Sequence, residues 1–232
     1  MSPPEPAHHI SLLEHFHTIA TITVSQWRKF FPNHHPLGIY NAYVPVEMFY
    51  AIGLTPLYIF HRADDLGYAG SHLPTFACWP GRSLIDQALT GELNGLAGIA
   101  FGQTCDVVQA LVDIWRIAVP NIPVYHIGMP LNLATPAART YFIAELNHLR
   151  ETLGGVSDDM LWEAIGIHNQ TRSLVTCLYN RAADLAPTDL HAVLRASLMM
   201  PKVEYNRLLT RLLDVLPIDG TAAPRLILIG SH

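Results

Sequence analysis

The residues of this chain best suited to metal or redox chemistry are its three cysteines, Cys78, Cys105 and Cys177. They are odd in number and far apart in the sequence, unlike the paired cysteines of a disulfide framework. The thiolate is the form of cysteine that acts as a nucleophile and binds metals. The three thiols are therefore interpreted as buried apolar residues, as metal ligands or as catalytic groups.

Cys105 occurs where an apolar run turns into a helix, in the segment "AGIAFGQTCDVVQALVDIW". Thr104 is predicted to cap this helix and Cys105 to occupy its first position, where the helix dipole and free backbone N–H groups favour the thiolate. In an open parallel sheet, ligands bind where a strand ends and the chain enters the next helix. The sequence therefore predicts that Cys105 lies at the kind of position where ligands bind.

The other two cysteines occur in different contexts. Cys78, in "FACWPGRSLIDQAL", also precedes a predicted helix, which would let it face the same crevice as Cys105. Two cysteines so far apart are a weaker metal signal than a C-x-x-C pair, so spacing alone favours core positions for both. Cys177, in "RSLVTCLYNR", lies inside a long predicted helix and is expected in the core.

Two charged residues near predicted helix starts are further candidates. Arg82 follows Cys78 by one helical turn and is either a surface residue or a group that holds an anionic ligand. Glu47, in "YVPVEMFYAIGL", either complements the helix dipole or acts as a general base across the crevice. Local sequence favours the structural role for both residues, and both functional roles stay open.

Charge and composition restrict the partners. The chain has 14 Lys and Arg against 19 Asp and Glu, a net charge of -5, and no basic cluster, so nucleic acid is not an expected partner. No apolar run approaches the roughly 20 residues that span a bilayer. The N-terminal segment lacks a basic region followed by an apolar one, so we expect a cytoplasmic protein.

Common catalytic motifs are absent from the sequence. The 13 histidines show neither an H-E-x-x-H motif nor the paired Cys/His spacing of a zinc site. There is no P-loop, no G-x-G-x-x-G and no G-x-S-x-G. These absences argue against the usual nucleotide-binding and hydrolase classes.

The hydrophobic pattern predicts an α/β fold. Short apolar runs alternate with segments of helix length, which indicates βαβ units and a parallel sheet. Strands are predicted at residues 37–40, 55–59, 98–101 and 124–127, with helices at residues 45–52, 81–90 and 105–118. The expected architecture is a small parallel-sheet domain with an associated helical region.

Four segments are predicted along the chain. Residues 1–36 form a leading helix, apolar from Ile10 to Ile22, and a linker; residues 37–130 form the α/β domain; and residues 131–216 show helical periodicity. In the helical region, "LGGVSDD" carries a glycine helix-end signal followed by Ser157 as a helix N-cap. Residues 217–232 include "PRLILIGSH", read as the first strand, at 225–229, of a second α/β domain that the chain does not complete.

The order of several sequence blocks resembles that of a known family. The blocks are "GIYNAYVPVEMFYAIGLTPLYIF", "CWPGRSLIDQALTGELNGLAGIAFGQTCDVVQALVDIW", "VYHIGMP", "YFIAELNHLRETL", "NQTRSLVTCLYNRAADLAP" and "PRLILIGS". Together they are similar to the N-terminal part of subunits of the 2-hydroxyacyl-CoA dehydratase and benzoyl-CoA reductase family, of the 2-hydroxyglutaryl-CoA dehydratase D-component type. Each block is modest alone, and the ordered series makes the resemblance specific.

The resemblance implies a cofactor, a reaction and a set of partners. Subunits of that family hold a 4Fe-4S cluster through three cysteines and act on acyl-CoA thioesters together with a homologous second subunit. An ATP-dependent activator protein supplies one electron, which converts the thioester to a ketyl radical anion and makes loss of water feasible. Reduction of an aromatic acyl-CoA is the related alternative, and a non-catalytic partner subunit is another.

The resemblance also assigns residues. Cys78 and Cys105 match the first two cluster cysteines, and Glu47 matches a glutamate near the substrate. The third family cysteine belongs to the second α/β domain, and Cys177 does not match it. The apolar side chains of Phe76, Trp79 and Phe101 are candidates for screening the cluster from water.

Overall fold

The computed structural model describes residues 6–61, 66–181 and 185–216. Within them, a parallel sheet is built from β1 (His35–Tyr40), β2 (Leu54–Tyr58), β3 (Gly98–Gly102) and β4 (Val124–Ile127). The strand order is β2-β1-β3-β4. The predicted α/β fold class is confirmed, and all four predicted strands occur with closely similar bounds.

Helices connect and follow the strands. In chain order they are α1 (Pro6–Thr21), α2 (Val24–Phe30), α3 (Val46–Ala51), α4 (Trp79–Leu89), α5 (Asp106–Ala118), α6 (Pro136–Thr152), α7 (Asp158–Asn180), α8 (Pro187–Ser197) and α9 (Lys202–Val215), with a 3-10 turn at Ala69–Ser71. None of the helices in the described part of the chain combines the length and apolarity required to cross a bilayer.

Helices cover both faces of the sheet. Side chains alternate between the two faces along a strand, and residues paired in parallel register point to the same face. Phe101 of β3 packs edge-on against Trp115 of α5, with ring centroids 5.8 Å apart, which places α5 on one face. Ile39 and Ala100 point to the other face, where they share a buried cluster with Phe49 of α3 and with α6. The central strands are therefore buried on both sides.

The strand order reverses between β1 and β3. The chain runs from β1 through α3 to β2 on one side, and α4 then returns it to β3 on the other side of β1. The carboxyl ends of β1 and β3 diverge into loops at this point. In open α/β sheets such a switch point is where ligands bind.

The chain divides into two compact units. Residues 22–166 form the unit that contains the sheet, and the other unit joins α1 to residues 167–181 and 185–216. In this helical unit, the ring of Phe16 packs edge-on against Tyr205, and the Tyr205 hydroxyl donates a hydrogen bond to the Val193 carbonyl at 3.1 Å. The guanidinium Nε of Arg195 donates to the Ala20 carbonyl at 2.6 Å, which ties α8 to the end of α1.

The predicted leading helix is divided into two helices. The apolar spacing predicts one leading helix through Ile22, whereas α1 ends at Thr21 and α2 follows it directly. Thr23 starts α2 with a capping box in which its side chain and that of Gln26 bond reciprocally to the backbone, so polar capping overrides the apolar repeat.

The predicted Ser157 cap is confirmed, since its hydroxyl accepts a hydrogen bond from the Met160 N–H at 3.2 Å. The strand predicted at residues 225–229 lies outside the described residues.

Candidate functional site

Cys78 and Cys105 occupy equivalent places in the fold. Cys78 is the N-cap of α4 and Cys105 is the N-cap of α5. Their carbonyl oxygens accept the first helical hydrogen bonds, from the N–H of Arg82 at 3.1 Å and from the N–H of Gln109 at 3.3 Å. Both cysteines are exposed, so the core position that spacing alone favours is wrong for each of them.

The first turns of α4 and α5 lie against each other because Gly81 has no side chain. A Cβ at Gly81 would lie 2.9 Å from Cγ1 of Val107, 3.2 Å from Cδ1 of Leu111 and 3.4 Å from the Sγ of Cys78. The Cys78 sulfur therefore lies next to the contact between the two helices. Since Val107 follows Cys105 by two residues, this contact brings the two cysteine positions to the same edge of the sheet.

Tyr40 at the end of β1 lies close to both thiols. Its side chain is 9% exposed, and its ring packs edge-on against Phe101 at 5.7 Å, which places it on the α5 face of the sheet. Burial raises the pKa of the Tyr40 hydroxyl, and negative charge on Cys78 and then on Cys105 raises that pKa further. Both sulfurs are thus within electrostatic range of one phenol.

The loop after β1 crosses the end of β3. Asn41 and Tyr43 have φ angles of 75° and 66°, in the left-handed region that non-glycine residues seldom adopt. A Cβ at Gly102 would lie only 1.9 Å from the carbonyl oxygen of Ala42, so the crossing requires glycine. The side-chain amide of Asn41 donates a hydrogen bond to the Thr104 hydroxyl at 2.5 Å.

This hydrogen bond corrects the predicted cap of α5. Thr104 is predicted as the N-cap and Cys105 as the first helical residue, but Cys105 is the N-cap and α5 begins at Asp106. The Thr104 hydroxyl instead bonds to Asn41 on the neighbouring strand end. Cys105 therefore lies one residue before the helix, whereas it is predicted to be the first helical residue. It lies in the loop that follows β3, at the switch point between β1 and β3.

Arg82 and Glu47 lie on opposite sides of this edge. Arg82 is half-buried in the first turn of α4, and its Nε is buried with no hydrogen-bond partner in the described part of the chain. Glu47 is half-buried in the first turn of α3, which packs on the other face of the sheet. Because both helices begin at the carboxyl edge, the two residues lie at that edge on different faces of the sheet.

One prediction about a neighbouring residue is wrong. Cys177 is exposed, not in the core, because α7 turns its neighbour Leu178 inward instead. Phe76 and Trp79 are 89% and 41% exposed, and Phe101 is fully buried and packs against the Tyr40 ring. The screening of a cluster by these three side chains stays a prediction.

One protein-family model matches most of the sequence of this chain. The model of the 2-hydroxyglutaryl-CoA dehydratase D-component matches residues 41–232. The chain belongs to the 2-hydroxyglutaryl-CoA dehydratase D-component family. The match starts at Asn41 and includes Glu47, Cys78, Arg82 and Cys105.

Curated relatives agree with the D-component family. The chain is 29% identical to a subunit of benzoyl-CoA reductase from Thauera aromatica over 79% of its own length and 50% of that protein. It is 27% identical to the beta subunit of lactoyl-CoA dehydratase from Anaerotignum propionicum over 79% and 53%. It is 23% identical to the (R)-phenyllactyl-CoA dehydratase beta subunit of Clostridium sporogenes over 77% and 50%. The chain spans about half the length of these relatives.

The site offers part of the ligand set of an iron–sulfur cluster. No group of three or more His, Cys, Asp or Glu residues suited to one metal ion occurs in the described part of the D-component chain. Cys78 and Cys105 nevertheless provide two accessible sulfur donors at the starts of adjacent helices. Thiolates are the usual protein ligands of such clusters. The residues present therefore fit two ligand positions of a cluster.

Sequence reasoning missed Tyr40, Asn41, Gly81 and Gly102. A signal existed for part of this set, since "IYNAYVP" puts Asn, which tolerates the left-handed region, directly after an apolar strand. Gly81 and Gly102 matter only through contacts with elements distant in sequence. Those contacts become visible only in the folded chain.

Proposed function

We propose that this chain is an iron–sulfur subunit of a 2-hydroxyacyl-CoA dehydratase-like enzyme. The observation that carries the proposal is the convergence of two accessible thiols, Cys78 and Cys105, at the N-caps of adjacent helices beside the β1/β3 switch point. Membership of the D-component family supports the same role. Because the chain spans about half the length of its relatives, the activity is proposed for the complete enzyme.

In this proposal Cys78 and Cys105 hold two iron atoms of a 4Fe-4S cluster. A third cysteine comes from the second α/β domain of the family or from another chain. When bound, such a cluster would supply one low-potential electron to the thioester carbonyl of the substrate and would take it back once the hydroxyl group, as hydroxide, and a proton have left, so that dehydration consumes no electron. The remaining residues of the site bind the substrate, orient it and move its protons.

Arg82 is proposed to bind the substrate. Its buried Nε, which lacks a partner in the described part of the chain, is a donor available to an anionic or carbonyl oxygen. It lies one helical turn after Cys78, so a bound oxygen would be near the cluster. Glu47 is proposed as the acid or base, since the helix that carries it begins at the same edge on the other face of the sheet.

The proposed partners are an acyl-CoA substrate, a homologous second subunit and an ATP-dependent activator protein. The relatives are each named as one subunit of an enzyme, which supports assembly with a second chain. An aromatic acyl-CoA reductase subunit is the alternative activity. The 29% identity to a benzoyl-CoA reductase subunit is the observation that favours it.

Iron and acid-labile sulfide measured on anaerobically purified protein test the cofactor. Cys78→Ser and Cys105→Ser are expected to lose most of the iron, and Cys177→Ser, in the other compact unit, is the matched control that retains it. Protein without iron, or equal iron in all three variants, would contradict the proposal. A panel of 2-hydroxyacyl-CoA and aromatic acyl-CoA thioesters, assayed with activator and ATP, separates dehydration from ring reduction.

A further inference from the structure

Two side-chain oxygens of α6 meet at the residue that follows β4. A Cβ at Gly128 would lie 2.6 Å from the Tyr141 hydroxyl oxygen and 2.9 Å from Oε2 of Glu145. The Gly128 N–H donates a hydrogen bond to that same Oε2 at 3.2 Å. The phenol and the carboxylate therefore lie together against one backbone position, where the absence of a side chain leaves room for both.

This pair of side chains lies at the edge of the sheet that carries the two thiols. Gly128 directly follows Ile127, the last residue of β4, whose carbonyl oxygen accepts a hydrogen bond from the Gln103 N–H at 3.0 Å. Gln103 precedes Cys105 by two residues, and adjacent strands are about 5 Å apart. The pair is thus one strand away from the loop that carries Cys105.

The pair also lies on the face of the sheet that carries Glu47. Leu149 of α6 belongs to the same buried cluster as Phe49 of α3, so both helices cover this face. Glu47 is in the first turn of α3, which follows β1, whereas the pair follows β4, and only β3 separates these two strands. A substrate bound across the end of β3 would therefore have the proposed acid or base on one side and the pair on the other.

The two oxygens have complementary hydrogen-bonding properties. A phenol is protonated at neutral pH and donates, whereas an ionised carboxylate only accepts. Glu145 accepts one backbone N–H, and a carboxylate has about four acceptor positions, so it is able to accept a further bond. Tyr141 is 46% exposed and Glu145 is half-buried, so a ligand has access to the pair. A hydroxyl group, which donates and accepts at once, matches both oxygens.

We propose that Tyr141 and Glu145 bind the 2-hydroxyl group of the substrate, and that the substrate class of the enzyme is 2-hydroxyacyl-CoA thioesters. This inference rests on the proposed function. The Tyr141 hydroxyl donates to the substrate oxygen, and the Glu145 carboxylate accepts the hydrogen of the substrate hydroxyl. A site built to bind a hydroxyl group rejects an analogue that lacks it, because its own polar groups then lose their partner. The pair therefore favours dehydration over ring reduction of an aromatic acyl-CoA.

The test measures the affinity for CoA thioesters that differ only in the hydroxyl group. One pair of probes is (R)-lactoyl-CoA with propionyl-CoA, and the other is (R)-phenyllactyl-CoA with 3-phenylpropanoyl-CoA. The complete enzyme is titrated by calorimetry without activator and ATP, so that binding is measured without turnover. The wild type is expected to bind the hydroxylated member of at least one pair more tightly.

Tyr141→Phe and Glu145→Gln are each expected to reduce this preference about tenfold. Affinity for the thioester without the hydroxyl is expected to stay at the wild-type value, which a general structural defect would not allow. Glutamine keeps an oxygen that accepts the Gly128 N–H, so the contact with the backbone is retained. Gly128→Ala leaves both functional groups in the chain but displaces their oxygens, and it is expected to reduce the preference as well.

Two variants are the matched controls. Glu151→Gln changes an exposed carboxylate near the end of α6, and Tyr125→Phe removes the hydroxyl of a β4 residue that packs against Phe49 at a centroid distance of 5.2 Å. Both are expected to keep the wild-type preference. An equal loss of preference in these controls would overturn the role of the pair.

The outcomes separate this inference from the proposed function. A wild type without preference for the hydroxylated thioesters, or an unchanged preference in Tyr141→Phe, Glu145→Gln or Gly128→Ala, would overturn the role of the pair and leave the proposed function standing. Wild-type enzyme that binds none of the four thioesters would overturn both.

Discussion

The side-chain amide of Asn41 donates a hydrogen bond to the Thr104 hydroxyl at 2.5 Å and so joins the carboxyl ends of β1 and β3. Asn41 follows Tyr40 and Thr104 precedes Cys105, which means that one bond fixes the spacing of the two loops that carry the candidate site. Asn41 also has a φ angle of 75°, a conformation that Asn tolerates better than most residues.

Substitution of Asn41 separates the contribution of the hydrogen bond from that of the positive φ angle. Asn41→Gly accommodates the positive φ and loses the hydrogen bond, so it is expected to lower the free energy of unfolding by about 1 kcal/mol. Asn41→Ala loses the hydrogen bond and also disfavours the positive φ angle, so it is expected to lower the free energy of unfolding by about 1 kcal/mol more than Asn41→Gly does. Urea denaturation measures both, and a double-mutant cycle with Thr104→Val is expected to show coupling. Strictly additive effects would argue against the bond.

Gly102→Ala is expected to disrupt the site. Its Cβ would lie 1.9 Å from the Ala42 carbonyl oxygen, and neither backbone segment is able to move without displacing the loop after β1. We expect a loss of about 1–3 kcal/mol in unfolding free energy, the range for overpacking, together with reduced iron content.

Gly166→Ala is the control for that substitution. Gly166 lies in α7, where an added Cβ meets nothing within 4 Å, and alanine is expected to stabilise the helix by about 0.8–1 kcal/mol. Equal changes in unfolding free energy and in iron content for the two variants would contradict the close crossing at Gly102.

Arg82→Gln is expected to raise the KM for the acyl-CoA substrate about tenfold, the lower part of the range for losing a hydrogen bond to a charged group. Iron content is expected to stay at the wild-type level, since Arg82 contributes no sulfur. Steady-state kinetics with partner subunit and activator measure this effect, with Arg139→Gln on the exposed surface of α6 as control. Loss of iron in Arg82→Gln with an unchanged KM would assign Arg82 a structural role.

His126 makes the stability of the sheet unit dependent on pH. Burial, and then the charge of Arg116, lower the pKa of His126 below its usual value, while Glu145 and Asp113 oppose the shift more weakly. The unfolded chain therefore binds a proton more readily than the folded chain, and stability falls as the pH drops below about 6.5 towards the folded-state pKa. His126→Gln is expected to weaken the dependence of the unfolding free energy on pH, as measured by denaturation between about pH 5 and 8. The same pH dependence in the variant and the wild type would exclude His126 as its source.

The strands and most helices could be predicted because they depend on local pattern. The apolar runs of β1 and β3 are buried on both faces, and such strands produce a strong, continuous signal. The prediction that Cys78 and Cys105 share one edge followed from topology alone. Cys177 was misplaced because an apolar neighbourhood in sequence does not determine which side of a helix a residue occupies.

Other features depend on contacts between distant segments. The packing of α1 with α8, joined by Arg195 and Ala20, has no local signature. The close approach of Gly102 to the Ala42 carbonyl oxygen likewise depends on how the ends of β1 and β3 cross. No pattern within either segment contains that information, since it arises when the sheet and its helices assemble.

The strand order also determines the lengths of the loops that folding closes. The β1–β2 pairing closes a loop that contains α3, whereas the β1–β3 pairing closes a longer loop that contains α3, β2, α4 and the intervening turns. Contacts between more distant segments carry a larger loop-closure entropy and form more slowly. Cys78 precedes α4 and Cys105 precedes α5, so the two thiols come to one edge only when β3 has paired with β1 and both helices have packed. A group that bound both thiols would therefore stabilise the completed sheet over any state that lacks β3.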